Sequence, residues 1–232
     1  MAATYEALCE EGYSELTAQS IADRTDKSKS ALFYHYDSKE ELLADFIRYL
    51  LEGFERRAAA IDDQPPVERL AAFVDWSLSV PPVDEAGYHT AMLELRAQAP
   101  YNEIYRKQLR ESDALLRDAL VDVLEDGIET GDFREHDTAE VAELLLAAFD
   151  GARIRRLTLD RTAYIDAVRS GVIERVLEDV LASETAYPDE PARSFPPDER
   201  LVGEEPNAAD DPASDLEPEP DARTDARGGR TE

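Results

Sequence analysis

The sequence predicts an all-α protein of about nine helices, and three features of the residue pattern support that class. No segment shows the period-2 alternation of apolar and polar residues that a half-buried β-strand requires. Apolar residues instead recur at helical spacing, as in the run from Leu116 to Ile128. Proline lies between such runs or at their first residue rather than inside them. With 43% hydrophobic residues among 232, the chain can bury a sizeable core.

The helix boundaries follow from the positions of proline and glycine. Pro65-Pro66 and Pro81-Pro82 mark breaks, because proline lacks a backbone N–H and restricts the residue before it. Pro100 and the stretch from Gly127 to Asp137 mark two more. The predicted helices are 2–11, 17–24, 28–35, 38–58, 66–80, 84–98, 101–128, 138–156 and 161–184.

The last two predicted helices have the broadest apolar surfaces. Between Ile165 and Leu181 two apolar stripes adjoin each other, which is wider than packing on one neighbour requires. We therefore expect the helices near 138–156 and 161–184 to pack both on their own subunit and on a second copy of the chain.

Acidic residues dominate the charge of the chain. Asp and Glu number 53 against 25 Lys and Arg, for a net charge of −28. Residues 187–232 carry −9, which leaves −19 over residues 1–186. Such a surface stays hydrated in molar salt, where the Debye length falls to about 3 Å. The sequence thus favours a salt-adapted (halophilic) protein, and an acidic protein of an ordinary cytoplasm is the alternative.

From Tyr187 onward the composition changes. Eight of the 13 prolines lie there, together with acidic residues and few large apolar ones. This segment cannot bury enough surface to offset its ordering entropy. We therefore predict that 187–232 is a disordered, acidic, Pro-rich tail.

Several classes of protein are excluded by what the sequence lacks. Cys9 is the single cysteine, which excludes an intramolecular disulfide and a four-cysteine zinc site; we expect it to serve packing. No apolar stretch approaches the roughly 20 residues of a membrane span, and no secretory signal is visible, so a cytoplasmic protein is expected. No catalytic or phosphate-loop motif occurs, and His89 and His136 stand alone among acids. We expect no enzyme, no metal and no cofactor.

The segment from Gly12 to Leu43 predicts a helix-turn-helix. Thr17 caps a short helix, a polar turn of about four residues follows, and Ser28 caps a second short helix. Ser38 caps a third helix, with Glu41 three residues later. Two short helices joined by a tight turn are typical of this DNA-binding motif.

Local charge supports the same interpretation. Three of the four lysines in the chain lie between Lys27 and Lys39, where Asp37 is the one acidic residue. Clustered cations beside hydroxyls and aromatic rings suit contact with phosphates and insertion into a groove.

Residues 1–58 resemble the DNA-binding domain of the TetR family (TetR/AcrR-like) of transcriptional regulators. The matching elements are Gly12-Tyr13, Thr17, Ile21-Ala22, Ser28-Lys29, Leu32-Phe33-Tyr34-His35-Tyr36 and Ser38-Lys39-Glu40-Glu41-Leu42. The sequence departs from the family pattern at Thr25-Asp26-Lys27.

The resemblance implies a role for each matching position. Lys29, Ser30, Ala31 and Tyr34 would face the major groove, and Thr17, His35 and Lys39 would meet phosphates. Leu32, Phe33 and Tyr36 would pack the helices together. The implied DNA-binding set is Thr17, Ser28, Lys29, Ser30, Ala31, Tyr34, His35 and Lys39. For Tyr34 a place in the core is the alternative, and for His35 an isolated surface position is.

Residues 59–186 resemble the effector-binding and dimerisation domain of the same family more loosely. Six side chains are candidates for lining an effector pocket, and ordinary core packing is the alternative for each. They are Phe73, Trp76, Tyr88, Met92, Tyr105 and Phe149.

The resemblance implies a homodimeric transcriptional regulator, by family default a repressor. It would bind a pseudo-palindromic double-stranded DNA operator and respond to a small-molecule effector. The alternative is an acidic helical ligand-binding or adaptor protein whose helix-turn-helix no longer binds DNA, and Lys29, Tyr34 and Lys39 argue against it.

Overall fold

The computed structural model describes residues 1–25, 34–79, 86–159, 161 and 163–196, and of 86–88 it describes the backbone alone. Within these ranges the chain is all-α, as predicted, and an isolated antiparallel bridge joins Phe133 to Leu181. The helices are α1 (Ala2–Glu15), α2 (Ala18–Ala22), α3 (Lys39–Ala59), α4 (Pro66–Leu78), α5 (Ala86–Gln98), α6 (Glu103–Thr130), α7 (Thr138–Leu159) and α8 (Ala163–Val172). A π-helical turn (Ile173–Leu177) and a last helical turn, α9 (Glu178–Val180), continue α8.

Two predicted boundaries differ from the structure for identifiable reasons. The first helix was expected to end near residue 11, but it resumes after a kink at Gly12, whose φ is 72°. The last helix was expected to reach residue 184, but Leu181 is extended and pairs with Phe133. The backbone hydrogen bonds of that pairing replace the next helical turn. The predicted helix 28–35 lies outside the described residues except for its last two, Tyr34 and His35, which are helical.

The apolar interior consists of two clusters. The N-terminal cluster joins α1, α2 and the first half of α3, and it includes Leu8, Leu43 and Phe46. It is completed by residues from outside the predicted DNA-binding segment, such as Leu95 on α5 and Tyr105 on α6. The larger, C-terminal cluster joins the end of α3 with α4, α6, α7 and α8. Leu95 and Tyr105 thus tie the first 58 residues to the rest of the chain.

The prediction that disorder begins at residue 187 is wrong for residues 187–196. Tyr187 and Phe195 pack against the C-terminal cluster, and the backbone N–H of Ala192 donates to Glu68 on α4 at 2.7 Å. The composition of the segment concealed these two aromatic anchors, because burial of a few large side chains orders a short extended strap. The rest of the predicted tail lies outside the described residues.

Candidate nucleic-acid interface and aromatic core

The helix α2 begins at a complete capping box. The Thr17 side chain accepts from the backbone N–H of Ser20 at 3.0 Å, and the Ser20 hydroxyl accepts from the N–H of Thr17, also at 3.0 Å. Arg24 then donates to the carbonyl of Ser20 at 2.7 Å and forms ion pairs with Glu10 and Glu11 of α1. Thr17 is exposed, so its cap leaves it accessible, and its contact with phosphate stays a prediction. The role of Arg24 in joining α2 to α1 was missed by the sequence reasoning.

The two aromatic side chains that end the predicted recognition helix project into solvent. Tyr34 is 84% exposed, and its ring stands edge-on to that of His35 at 5.4 Å between centroids. Tyr34 is therefore not part of the core. The neighbouring Tyr36 instead donates its hydroxyl to Asp45 on α3 at 3.0 Å, which anchors this end of the motif. Tyr34 and His35 remain available for the predicted DNA contacts.

Four of the predicted DNA-binding residues cannot be compared with the structure. Ser28, Lys29, Ser30 and Ala31 lie outside the described residues. The predicted cap at Ser38 is present, since its side chain accepts from the backbone N–H of Glu41 at 3.1 Å and starts α3.

Lys39 has a structural role that the sequence did not reveal. Its Nζ donates to the backbone carbonyls of Tyr13 at 2.7 Å and Leu16 at 2.8 Å, and it lies 4.5 Å from the centroid of the Tyr13 ring. Burial lowers the pKa of Lys39 from its usual value, and nearby carboxylates, Glu40 first, oppose that shift. Two of its three N–H donors thus hold the end of α1. Contact with phosphate stays a prediction for Lys39, now alongside this role.

The kink at Gly12 connects α1 to the C-terminal helices. The backbone N–H of Tyr13 donates to Glu94 Oε2 on α5 at 2.9 Å, and the Tyr13 ring stands edge-on to Tyr105 of α6 at 6.2 Å. A Cβ on Gly12 would lie 3.3 Å from the same Glu94 oxygen. Glycine therefore allows both the positive φ and the close approach of Glu94. Glu94 was missed because one acid among 53 gives no signal in the sequence.

Three of the six predicted effector-lining residues lie together in the C-terminal cluster. Phe73 contacts Trp76 at 5.7 Å and Phe149 at 6.3 Å between ring centroids. Two further rings that were not predicted join them, Phe54 of α3 and Phe195 of the strap. The resulting aromatic core links α3, α4, α7 and the C-terminal strap.

Two of the other three candidates do not belong to this aromatic core. Tyr105 is fully buried in the N-terminal cluster, and Met92 packs against that cluster. Burial raises the pKa of Tyr105 above its usual value. The Tyr88 side chain lies outside the described part of the structure. The residue types had suggested one pocket, whereas the helices separate the five described candidates into two interiors.

A half-buried cationic group lies where α5 meets α7. Burial and the positive charges of Arg153 and Arg156 lower the pKa of His89 to about 4, so its imidazole is neutral at pH 7. Arg153 donates to the carbonyl of Ser77 at 3.3 Å and lies 3.7 Å from Asp150. The bond from Arg153 to Ser77 joins α7 to α4.

The described ranges contain neither of two further kinds of site. No group of three or more His, Cys, Asp or Glu side chains there is placed to hold a metal ion. No helix within them is both long and apolar enough to span a bilayer.

Two family descriptions match the sequence. "Bacterial regulatory proteins, tetR family" matches residues 1–46, and "BetI-type transcriptional repressor, C-terminal" matches residues 66–184. No curated protein matches the sequence.

Solved structures of similar fold include a TetR transcription regulator from Haloarcula marismortui. It is 39% identical, with 77% of this chain and 94% of that chain covered and a TM-score of 0.69. A putative transcriptional regulator from Saccharomonospora viridis, in complex with choline, is 23% identical, covering 78% of this chain and 95% of its own, at a TM-score of 0.66. FadR from Bacillus subtilis, in complex with stearoyl-CoA, is 20% identical, covering 75% of this chain and 96% of its own, at a TM-score of 0.61.

Proposed function

Because the chain belongs to the TetR family of transcriptional regulators, which are not enzymes, we propose that it represses transcription from a pseudo-palindromic operator. It binds that operator as a homodimer and leaves it when a small-molecule effector binds. The observation that carries the DNA-binding part is the pair of exposed rings, Tyr34 and His35, on a motif fixed by the Thr17 and Ser38 caps. Side-chain caps that fix the starts of the neighbouring helices help to hold such exposed side chains in place, as a DNA-contacting surface requires.

The proposed dimer uses α7 and α8. Leu144, Ile154 and Leu159 of α7 are large apolar side chains that remain exposed in the single chain. Exposed apolar side chains on one long helix favour association with a second copy. Two recognition helices held by one dimer match two half-sites of an operator.

The proposed release from DNA depends on contacts that couple α5 to the helix-turn-helix. Glu94 on α5 holds the backbone of Tyr13, and Lys39 at the start of α3 holds the carbonyl of the same residue. A displacement of α5 would therefore shift the end of α1 and, through Lys39, the start of α3. An effector that binds one arrangement better shifts the population toward it. The choline and stearoyl-CoA bound to two relatives support a small-molecule effector here.

The alternative, a helical ligand-binding protein with an inactive helix-turn-helix, gains one observation. Two of the three Lys39 donors already bind α1 carbonyls, so Lys39 argues less strongly for DNA than the sequence suggested. The exposed Tyr34 does not share this second role.

Operator binding by matched tyrosine variants tests the proposal. Fluorescence anisotropy with DNA from the flanking intergenic regions would compare Tyr34→Ala with Tyr101→Ala, since the two side chains are 84% and 89% exposed. Loss of an aromatic or base contact should weaken binding by Tyr34→Ala roughly tenfold, equivalent to about 1.4 kcal/mol, while Tyr101→Ala binds as the unaltered protein does. Equal affinity of all three proteins for the DNA would contradict the proposed contact of Tyr34 with DNA. Absence of binding by all three would favour the ligand-binding protein with an inactive helix-turn-helix.

A further inference from the structure

The C-terminal strap, residues 187–196, places one aromatic side chain against three others. The Phe195 ring lies 5.7 Å from Phe54, 6.2 Å from Phe73 and 5.7 Å from Trp76, centroid to centroid. Phe54 and Phe73 are buried, and Trp76 is half-buried beside them. We call Phe54, Phe73 and Trp76 the aromatic seat, since they form the surface on which Phe195 rests.

The strap is held near the seat by polar contacts that are exposed to solvent. Arg193 forms an ion pair with Asp63 and donates to the carbonyl of Ala60 at 3.4 Å. The N–H of Ala192 donates to Glu68. The Asp63 side chain is largely exposed and that of Arg193 is half-exposed, and such ion pairs contribute little to stability. The polar tethers therefore position the strap without locking it.

The current occupant indicates which chemistry the seat accepts. A phenyl ring with no charge and no hydrogen-bonding group fits against all three rings in edge-on or tilted arrangements, which are favourable for aromatic pairs. The guanidinium of Arg57 already lies 5.7 Å from the centroid of the Trp76 ring. A second cation at the seat would be repelled by Arg57, whereas a neutral aromatic group would not.

We propose that the aromatic seat is the binding site for a neutral aromatic or apolar group of the effector, and that Phe195 of the same chain occupies it in the absence of that effector. The proposal rests on the proposed effector response. It names the class of ligand and identifies the strap as its competitor. Binding displaces Phe195, and the apparent affinity for the ligand equals the affinity of the open seat multiplied by the fraction of molecules in which the strap is already displaced.

A direct test uses the single tryptophan of the chain, Trp76. Incorporation of 5-fluorotryptophan gives one fluorine resonance at the seat, and benzyl alcohol and choline serve as neutral and cationic probes. The full-length proteins compared are the unaltered chain, Phe195→Ala, Arg193→Ala and the control Tyr101→Ala, whose side chain is exposed and outside both clusters.

The proposal makes definite expectations for these proteins. The fluorine resonance shifts in Phe195→Ala and not in Tyr101→Ala, because only the former removes a ring from Trp76. Benzyl alcohol saturates the shift of Phe195→Ala at about tenfold lower concentration than that of the unaltered chain, equivalent to ~1.4 kcal/mol. Arg193→Ala, which loosens the strap and keeps Phe195, shows a smaller gain, and choline binds more weakly than benzyl alcohol throughout.

Three outcomes would overturn the proposal. They are an unmoved resonance in Phe195→Ala, equal saturating concentrations for the unaltered chain and both strap variants, and preferential binding of choline. Circular dichroism checks that the variants are folded. If Phe195→Ala does not fold, the saturating concentration of benzyl alcohol for Arg193→Ala decides whether the strap competes with the probe. Operator binding is measured separately, without the probes. Failure to bind DNA would refute the proposed function, whereas the fluorine spectra would still test whether the aromatic seat binds the probes.

Discussion

Lys39 offers the sharpest test of how the N-terminal motif is held together. The substitution Lys39→Met keeps most of the apolar stem and removes the ammonium, which donates to the carbonyls of Tyr13 and Leu16. If the motif depends on these bonds, thermal stability falls even when no DNA is present.

The magnitude follows from the contacts. A hydrogen bond to a charged group contributes about 1.5–3 kcal/mol when it is well shielded. Lys39 is half-buried and the released carbonyls regain water, so the two bonds together are worth about 2 kcal/mol, with ~0.5 kcal/mol more from the Tyr13 ring. A loss of about 2–3 kcal/mol lowers the Tm of a chain of this size by roughly 4–12 °C.

The assay is thermal unfolding followed by circular dichroism, at fixed protein and salt concentration. Lys107→Met is the matched control, because its side chain is 77% exposed and its Nζ lies 3.9 Å from Glu111. It should change stability by no more than about 0.5 kcal/mol. If Lys39→Met melted at the same temperature as Lys107→Met but bound DNA less tightly, Lys39 would act on phosphate alone and its assigned role in holding α1 would be refuted.

Three further outcomes follow from the structure. The folded-state pKa of His89 is about 4, below its ordinary 6.5, so the stability that neutral His89 contributes is complete above pH 6.5 and is lost as the pH falls toward 4. Between those pH values, urea unfolding of the unaltered chain should therefore lose about 3 kcal/mol more than unfolding of His89→Asn does. A Cβ on Gly127 would overlap the Phe133 ring, so Gly127→Ala should lower the free energy of unfolding by about 2–3 kcal/mol in thermal unfolding. A Cβ on Gly131 meets no neighbour, so Gly131→Ala should lower it only by the ~1 kcal/mol strain of the positive φ. Equal losses of stability in the two variants would contradict the overlap at Gly127. The net charge of −28 predicts that operator affinity, measured by anisotropy from about 0.1 to 3 M KCl, persists into molar salt; a steep monotonic loss on an intact dimer would refute salt adaptation.

Local sequence determined most of the helices, because their causes are local. Thr17, Asn102 and Ser38 accept backbone N–H groups within three residues and so start helices wherever the chain folds. Gly131 ends α6 because glycine readily adopts the left-handed φ of 83° found there, which other residues rarely adopt. The pattern of apolar residues likewise indicated which faces of the helices are buried. The family resemblance rests on the same short-range features.

Only the tertiary structure decided which side chains meet. Lys39 and Glu94 approach Tyr13 from α3 and α5, and no spacing in the sequence records a contact between residues separated by 81 positions. Tyr105 and Phe73 look alike as candidate pocket residues, yet helix packing places them in different clusters. Phe195 lies in a segment whose average composition predicts disorder, but its ring finds Phe54, Phe73 and Trp76. Composition and periodicity average over neighbours in the chain, whereas packing energy depends on neighbours in space.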